Sequence, residues 1–149
     1  MRLEHANITV GSIDETIRFL SSVFPDAEVR GGGHMYWNED RTEARGRWVH
    51  FGTGSHYVAL QQNFQPSGRE DVTYRNDGIN HLGFVVSEPD EVIRRANAAG
   101  YDLSPASAMD DHPHRRRAYF FDGNDIEWEL VEYLSDDVSE RNDYQLQGR

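Results

Sequence analysis

Cysteine and lysine are both missing from this chain of 149 residues. Without cysteine there are no disulfides, no thiolate metal sites and no thiol nucleophile. Without lysine there is no Schiff base and no lysine clamp for phosphate. All 15 basic residues are therefore arginine, and against 26 acidic residues they leave a formal net charge of −11. So acidic a chain repels nucleic acid and anionic lipid at long range, and neither is an expected partner. Long apolar runs are missing too. The longest are strand-sized, too short to cross a membrane. No charged start followed by an apolar stretch marks a signal peptide, so a cytoplasmic setting is expected. What remains fits one compact domain or two small fused modules, and a chain of this length buries roughly 70% of its unfolded surface.

The chain repeats itself. Residues 4–18 read EHANITVGSIDETIR and residues 80–94 read NHLGFVVSEPDEVIR. Without a gap, His5 falls on His81, Val10 on Val86, Asp14 on Asp90, Glu15 on Glu91, Ile17 on Ile93 and Arg18 on Arg94. A second match closes each half: WVHFGTGSHYVALQQ (48–62) against AYFFDGNDIEWELVE (118–132), which sets Phe51 on Phe121 and Leu60 on Leu130. Two matches in the same order indicate duplication.

Each half has the same grammar. Strands are expected at Leu3–Val10 and Ile79–Val86, β-branched and apolar. A helix follows. In the first half Ser12 and Glu15 form a capping-box pair, and Ile17, Leu20 and Phe24 have helical spacing. In the second, Ser87 is the expected N-cap, Pro89 sits in the first turn and Gly100 is the stop. Three strands then close each half: Ala27–Arg30, Arg47–Phe51 and Tyr57–Gln62, then Tyr101–Leu103, Arg117–Phe121 and Ile126–Tyr133. Turns at Gly52-Thr-Gly and Asp122-Gly-Asn join the last two as hairpins. The expected organisation is thus α+β, two tandem β-α-β-β-β modules (3–62 and 79–133) in one domain spanning 1–133, with a linker at 63–78. Gly31–Arg45 reads as a polar loop, and residues 134–149 as a polar, partly ordered tail.

A duplicated β-α-β-β-β unit with His5 in EHANITV, His81 in NHLGFVV and Glu129 in DGNDIEWELVEY resembles the vicinal oxygen chelate superfamily, that of glyoxalase I, bleomycin-resistance proteins and extradiol dioxygenases. The resemblance covers residues 3–133. It implies paired modules curving as a mixed sheet around a metal-binding cleft. His5, His81 and Glu129 would be the ligands of a divalent transition metal (Fe, Mn, Ni, Co or Zn), a donor set suited to such ions. The family's fourth position falls on Ala59, where glyoxalase I carries a carboxylate or amide. Gln61 shares the face of Ala59, and Glu127 that of Glu129, by strand alternation. Three ligands without a fourth carboxylate favour dioxygenase-like chemistry over glyoxalase-like isomerisation, on a small substrate with vicinal oxygens. The alternative is a metal-free protein that sequesters a drug or metabolite. Family members of this length commonly form homodimers.

Other polar residues divide between site and surface. The run Asp110–Arg117, DDHPHRRR, reads as a solvated loop or as an arm over the cleft. As an arm, His112 or His114 would be a general base, and Arg115, Arg116 and Arg117 would hold an anionic group of the substrate. Tyr119 would line a wall of the cleft, and Asn7 and Thr9 share the face of His5. His50 and His56 flank a hairpin turn and read as solvated, and His34 as a loop residue. Trp37 and Trp48 fit core or pocket equally.

Overall fold

The structure, a computed structural model, describes residues 3–65, 78–105, 107 and 112–144. The chain forms two compact units, Met1–Glu70 and Asp71–Arg149. The expected linker lies largely outside the described residues.

Unit 1 runs β1 (His5–Thr9), α1 (Ile13–Val23), β2 (Glu28–Tyr36), β3 (Ala44–Gly52) and β4 (Tyr57–Asn63). Its sheet has the order β1-β4-β3-β2, with β1 parallel to β4 and the other pairs antiparallel. Ser12 caps α1 as expected, its Oγ accepting from the Glu15 N–H at 3.3 Å. The buried stripe is Ile13, Thr16, Phe19, Leu20 and Val23, so the helix is rotated from the expected Ile17/Leu20/Phe24 face, of which only Leu20 is fully buried. This stripe shares the core of unit 1 with Val10, Phe51, Val58 and Leu60.

The expected loop at 31–45 is mostly strand. Its glycines allow close approach of β3: a Cβ at Gly32 would stand 2.8 Å from the Trp48 carbonyl oxygen, and one at Gly33 3.1 Å from the Trp48 indole nitrogen. Here glycine removes a steric obstacle to pairing rather than loosening the chain. The true loop is short and closed on itself, with the Trp37 N–H bonded to the Glu43 carbonyl and Asn38 Nδ2 donating to Thr42 Oγ1 at 2.8 Å.

Unit 2 runs β5 (His81–Val85), α2 (Pro89–Ala98), β6 (Arg115–Phe121), β7 (Glu127–Tyr133) and α3 (Val138–Arg141), with sheet order β5-β7-β6. Again the first strand is parallel to the last, and the hairpin is antiparallel. The N-cap of α2 is Glu88 rather than Ser87, and it makes no side-chain capping bond. The expected stop is present. Gly100 has φ +92°, the Tyr101 N–H reaches the Ala96 carbonyl and the Gly100 N–H that of Asn97, which is a Schellman motif. Along α2, Glu91 is held by Arg94 and then Arg95, which lower its pKa to about 2. The strand expected at Tyr101–Leu103 is reduced to a single bridge, Leu103 to Phe120, because Tyr101 is drawn into the core. That core is Val86, Val92, Ala96, Tyr101, Ala118, Phe120, Trp128 and Leu130.

The two hairpins differ by one residue. Residues 53–56 separate Gly52 from its partner Tyr57, whereas 122–126 separate Phe121 from its partner Glu127. Phe51, paired with Val58, therefore corresponds to Phe120, paired with Trp128, and both are buried. The gapless match to Phe121 fails here, and Phe121 is exposed. Because side chains alternate along a strand, this single residue decides which face each β3 and β6 side chain takes.

No helix among the described residues is long and apolar enough to cross a membrane.

Candidate functional site

One face of each sheet is covered by its helix, and the other carries the polar residues. In unit 2, β7 passes between β5 and β6, so Glu127 and Glu129 each have a neighbour on both sides. Glu127 is in register with His81 and Phe121, and Glu129 with Gly83 and Tyr119. Leu82, Phe84, Trp128, Leu130, Ala118 and Phe120 alternate to the helix side. The sequence thus sorts donors and core residues simply by parity.

The donors on that face engage one another. His81 Nε2 lies 3.1 Å from Glu129 Oε2, and His81 Nδ1 lies 3.7 Å from Glu127 Oε2. The Tyr119 hydroxyl donates to the other oxygen of Glu129 at 2.7 Å. Gly83 leaves room for this carboxylate, since a Cβ there would come within 3.2 Å of Glu129 Oε2. Glu129 is 14% and Glu127 6% exposed, while His81 at 30% is open to solvent. Arg117 lies on the same face, two pairs further along the hairpin, in register with Val131. Removing the Tyr119 hydroxyl leaves a sheltered carboxylate oxygen without its donor. Tyr119→Phe is expected to cost about 1.5–3 kcal/mol of folding free energy, the usual worth of a hydrogen bond to a charged group. Urea melts of the metal-free protein measure this, and unchanged stability would mean that water serves Glu129 equally well.

In unit 1 the corresponding face carries His5 in register with Tyr57, Asn7 and His50 with Ala59, and Thr9 and Trp48 with Gln61. Rings dominate. His5 and Tyr57 are stacked with centroids 4.7 Å apart, His50 lies 4.6 Å from Tyr57, and Trp48 4.7 Å from His50. The Arg30 guanidinium covers Tyr57 at 4.3 Å. His5 Nδ1 meets Glu4 Oε2 at 2.8 Å. The methyl of Ala59 is buried and offers no donor on this face. His50 is the residue that sequence reasoning missed. It corresponds to Tyr119, not to Phe120, because the first hairpin is one residue shorter. The alternation in Trp48-Val49-His50-Phe51, with Phe51 as the apolar anchor, was the signal that could place it on the His5 face.

Of the expected residues, His81, Glu129 and Tyr119 are brought together, with Arg117 on their face and Glu127 beside them. His5 stands in unit 1. His112 is built into the chain rather than available as a base: it is 4% exposed, its Nε2 is 2.7 Å from the Asp143 carbonyl, and its Nδ1 accepts from the His114 N–H at 3.1 Å. Both nitrogens are engaged by backbone groups in this arrangement, which speaks for a structural role. His114 faces Glu140 at 3.5 Å. Arg115 is buried, donating to the Arg141 carbonyl and lying over the Tyr144 ring, and Arg116 pairs with Asp90 and Glu132. The run 112–116 thus fastens the segment 134–144 and helix α2. Only Arg117 of the three arginines keeps its place in the site reading. Trp37 is exposed under Arg45, and Trp48 belongs to the polar face.

The donor face of unit 2 contains one pair with the spacing of metal ligands. Two ligands at a right angle, each about 2.1 Å from one ion, stand roughly 3.0 Å apart, close to the 3.1 Å between His81 Nε2 and Glu129 Oε2, which is also an ordinary ion-pair distance. Among the described residues no group of three or more His, Asp or Glu is placed to hold a metal ion.

Comparison with known proteins agrees with the fold. A crystal structure of the fosfomycin resistance protein FosX from Listeria monocytogenes, complexed with Mn(II) and 1S,2S-dihydroxypropylphosphonic acid, is 20% identical, covers 95% of this chain and 97% of that one, and has a TM-score of 0.62. A glyoxylase/bleomycin resistance protein/dioxygenase domain from Frankia sp. is 19% identical over 92% of this chain and 95% of that one, with a TM-score of 0.71. A glyoxalase family protein from Bacillus cereus is 18% identical over 91% and 95%, again with a TM-score of 0.71. At these identities the likeness is one of fold. No curated protein matches in sequence. A model of the Glyoxalase/Bleomycin resistance protein/Dioxygenase superfamily matches residues 2–130, and the chain belongs to that superfamily.

Proposed function

We propose that this protein is a divalent-metal-dependent enzyme acting on a small substrate with vicinal oxygens, with His81 and Glu129 as candidate metal ligands in unit 2 and His5 as the candidate ligand of unit 1. The observation that carries the reading is the donor pair of unit 2. His81 and Glu129 stand at a cis-ligand separation on a polar face, with Tyr119 fixing the second carboxylate oxygen. Fe, Mn, Ni, Co and Zn all suit imidazole and carboxylate donors. When bound, such an ion supplies Lewis-acid polarisation of the substrate oxygens.

The protein's own side chains do the rest. Tyr119 holds the Glu129 carboxylate by its hydrogen bond, and Gly83 leaves room for it. Arg117 presents a guanidinium to an anionic part of the substrate, whose planar fork favours carboxylate or phosphonate. The fold relative FosX, which holds Mn(II) and a dihydroxypropylphosphonic acid, has a ligand of this description. Ala59 supplies no fourth donor, which favours dioxygenase-like chemistry over glyoxalase-like isomerisation. A homodimer in the cytoplasm belongs to the same proposal, and light scattering that returns the 17.1 kDa monomer mass would overturn the dimer.

A second reading has its own observation. The His5, Tyr57, His50 and Trp48 rings of unit 1 make an aromatic surface suited to stacking a planar ligand. On that surface a metal-free protein would sequester a drug or metabolite. Elemental analysis of untagged protein, reconstituted with each of the five metals, separates the two. One equivalent of metal together with turnover of a catechol or a 2-oxoaldehyde supports the enzyme and identifies its reaction. Failure of every metal to bind stoichiometrically leaves the sequestering protein.

A further inference from the structure

Three strands of unit 1 bring rings to one face: β1 brings His5, β3 brings Trp48 and His50, and β4 brings Tyr57. The fourth strand leaves part of that face uncovered. On β2, Gly31 is in register with His50 and Gly33 with Trp48. The Trp48 indole leans into the place of a Gly33 side chain, its nitrogen 3.1 Å from where a Cβ would stand. A Cβ at Gly31 would meet nothing within 4 Å, so among the described residues the space beside His50 is open.

One charged side chain reaches this face from β2. Val29 pairs with Phe51 and Gly31 with His50, which leaves Arg30 as the extra residue of a β-bulge. Bulges at a sheet edge re-aim the side chains they carry. The Arg30 guanidinium reaches past β3, where Gly52 has no side chain to obstruct it, and lies 4.3 Å over the Tyr57 ring. Stacking occupies the flat face of a guanidinium and leaves the N–H groups along its edge to hydrogen-bond. Arg30 is exposed, and among the described residues it has no carboxylate partner.

We propose that the ring face of unit 1 binds a planar aromatic acid. Its ring system packs against His50 and Trp48 in the space left by Gly31, and its carboxylate meets the edge of the Arg30 guanidinium. The inference deepens the ring-surface reading of the preceding section, on which it rests, and adds the charge of the ligand. Rings alone accept planar molecules of any charge. The bulged arginine selects a sign, since a guanidinium pairs with a carboxylate through two parallel hydrogen bonds and repels a cation. The chain's net charge of −11 opposes an anion at long range, but in about 0.15 M salt such repulsion is screened beyond about 8 Å.

The test uses metal-free protein in that salt, with 2-naphthoate as the probe, followed by calorimetry and by NMR of the His50 ring and the Trp48 indole. Saturable binding that moves both signals is expected. 2-Naphthamide, which keeps the rings and loses the charge, is expected to bind at least about 10-fold more weakly. Decahydro-2-naphthoate, which keeps the charge and loses the flat π faces, is expected to bind about 2–10-fold more weakly. Arg30→Ala should lose about 10-fold for 2-naphthoate and nothing for 2-naphthamide, and Arg30→Lys should recover part of the loss. Gly31→Leu fills the open space without meeting a neighbour, so it should weaken both aromatic probes and leave the melting temperature unchanged. If 2-naphthamide binds as tightly as 2-naphthoate, or if Arg30→Ala binds both as the parent does, the acid preference falls and the ring surface stands. If no probe moves the His50 or Trp48 signals, the ring-surface reading falls with it. Neither result touches the metal reading, because no metal is present.

Discussion

Replacing His81 by alanine is expected to weaken metal binding by more than about 100-fold and to leave the fold in place. Loss of an outer partner of a ligand costs about 10–100-fold, so loss of a ligand exceeds that range. His81 stands at the edge strand of its sheet with its ring 30% exposed, and its neighbours in the strand, Leu82 and Phe84, carry the packing. Truncation therefore removes polar contacts rather than core. Roughly 1–2 kcal/mol is expected from the lost contact with Glu129, between the worth of an ordinary hydrogen bond and that of one to a charged group. Measured without metal, so that ligand linkage does not enter, this amounts to a fall of several degrees in melting temperature. Calorimetric titration of the variant beside the parent is the check. If His81→Ala binds metal as tightly as the parent, His81 is not a ligand and the enzyme reading loses its central donor.

Much of this site was legible because duplication and parity are coarse signals that survive divergence. The equivalence of His5 and His81, the capping box at Ser12 and the Gly100 stop all come from local rules, and local rules held there. What failed depended on neighbours that the sequence does not name. Gly31–Gly33 reads as loop until Trp48 lies against Gly32 and Gly33, where a Cβ at Gly32 would stand 2.8 Å from the Trp48 carbonyl oxygen. Ser87 has the side chain of a cap, but the helix starts one residue later, at Pro89 after Glu88. The strand at 101–103 has suitable residues, yet packing of Tyr101 leaves only one bridge to Phe120. His112 has the chemistry of a general base, and only the return of the chain at Asp143 shows that its ring is committed to backbone. The one-residue difference between hairpins was the costliest, since it hid His50 on the site face. An ungapped alignment cannot see an inserted turn residue when the flanking positions, Phe120 and Phe121, are chemically alike.

The register of β7 is the joint on which the site depends, and Trp128 tests it. Glu127, Trp128 and Glu129 are consecutive, so if the two glutamates face the polar side, Trp128 must face the core. A slip of one residue would reverse all three, placing the indole among the donors and both carboxylates against α2. In the structure Trp128 is fully buried, its ring tilted against that of Phe84 with centroids 5.9 Å apart. Truncating a buried aromatic removes its transfer free energy and leaves a cavity, so Trp128→Ala is expected to cost about 3–5 kcal/mol. For a chain of this size that is roughly 6–20 °C in melting temperature. The loss should concentrate in unit 2, because unit 1 closes its own core around Phe19, Leu20 and Leu60. Hydrogen exchange should accordingly show weakened protection in β5, β6 and β7 before β1, β3 and β4. Well below its melting temperature the variant should still bind metal far better than His81→Ala, since its lesion lies on the opposite side of the sheet. A stability loss under about 1 kcal/mol combined with loss of metal would mean that the indole lines the site. The face assignments of Glu127, Glu129 and Tyr119 would then all be reversed together.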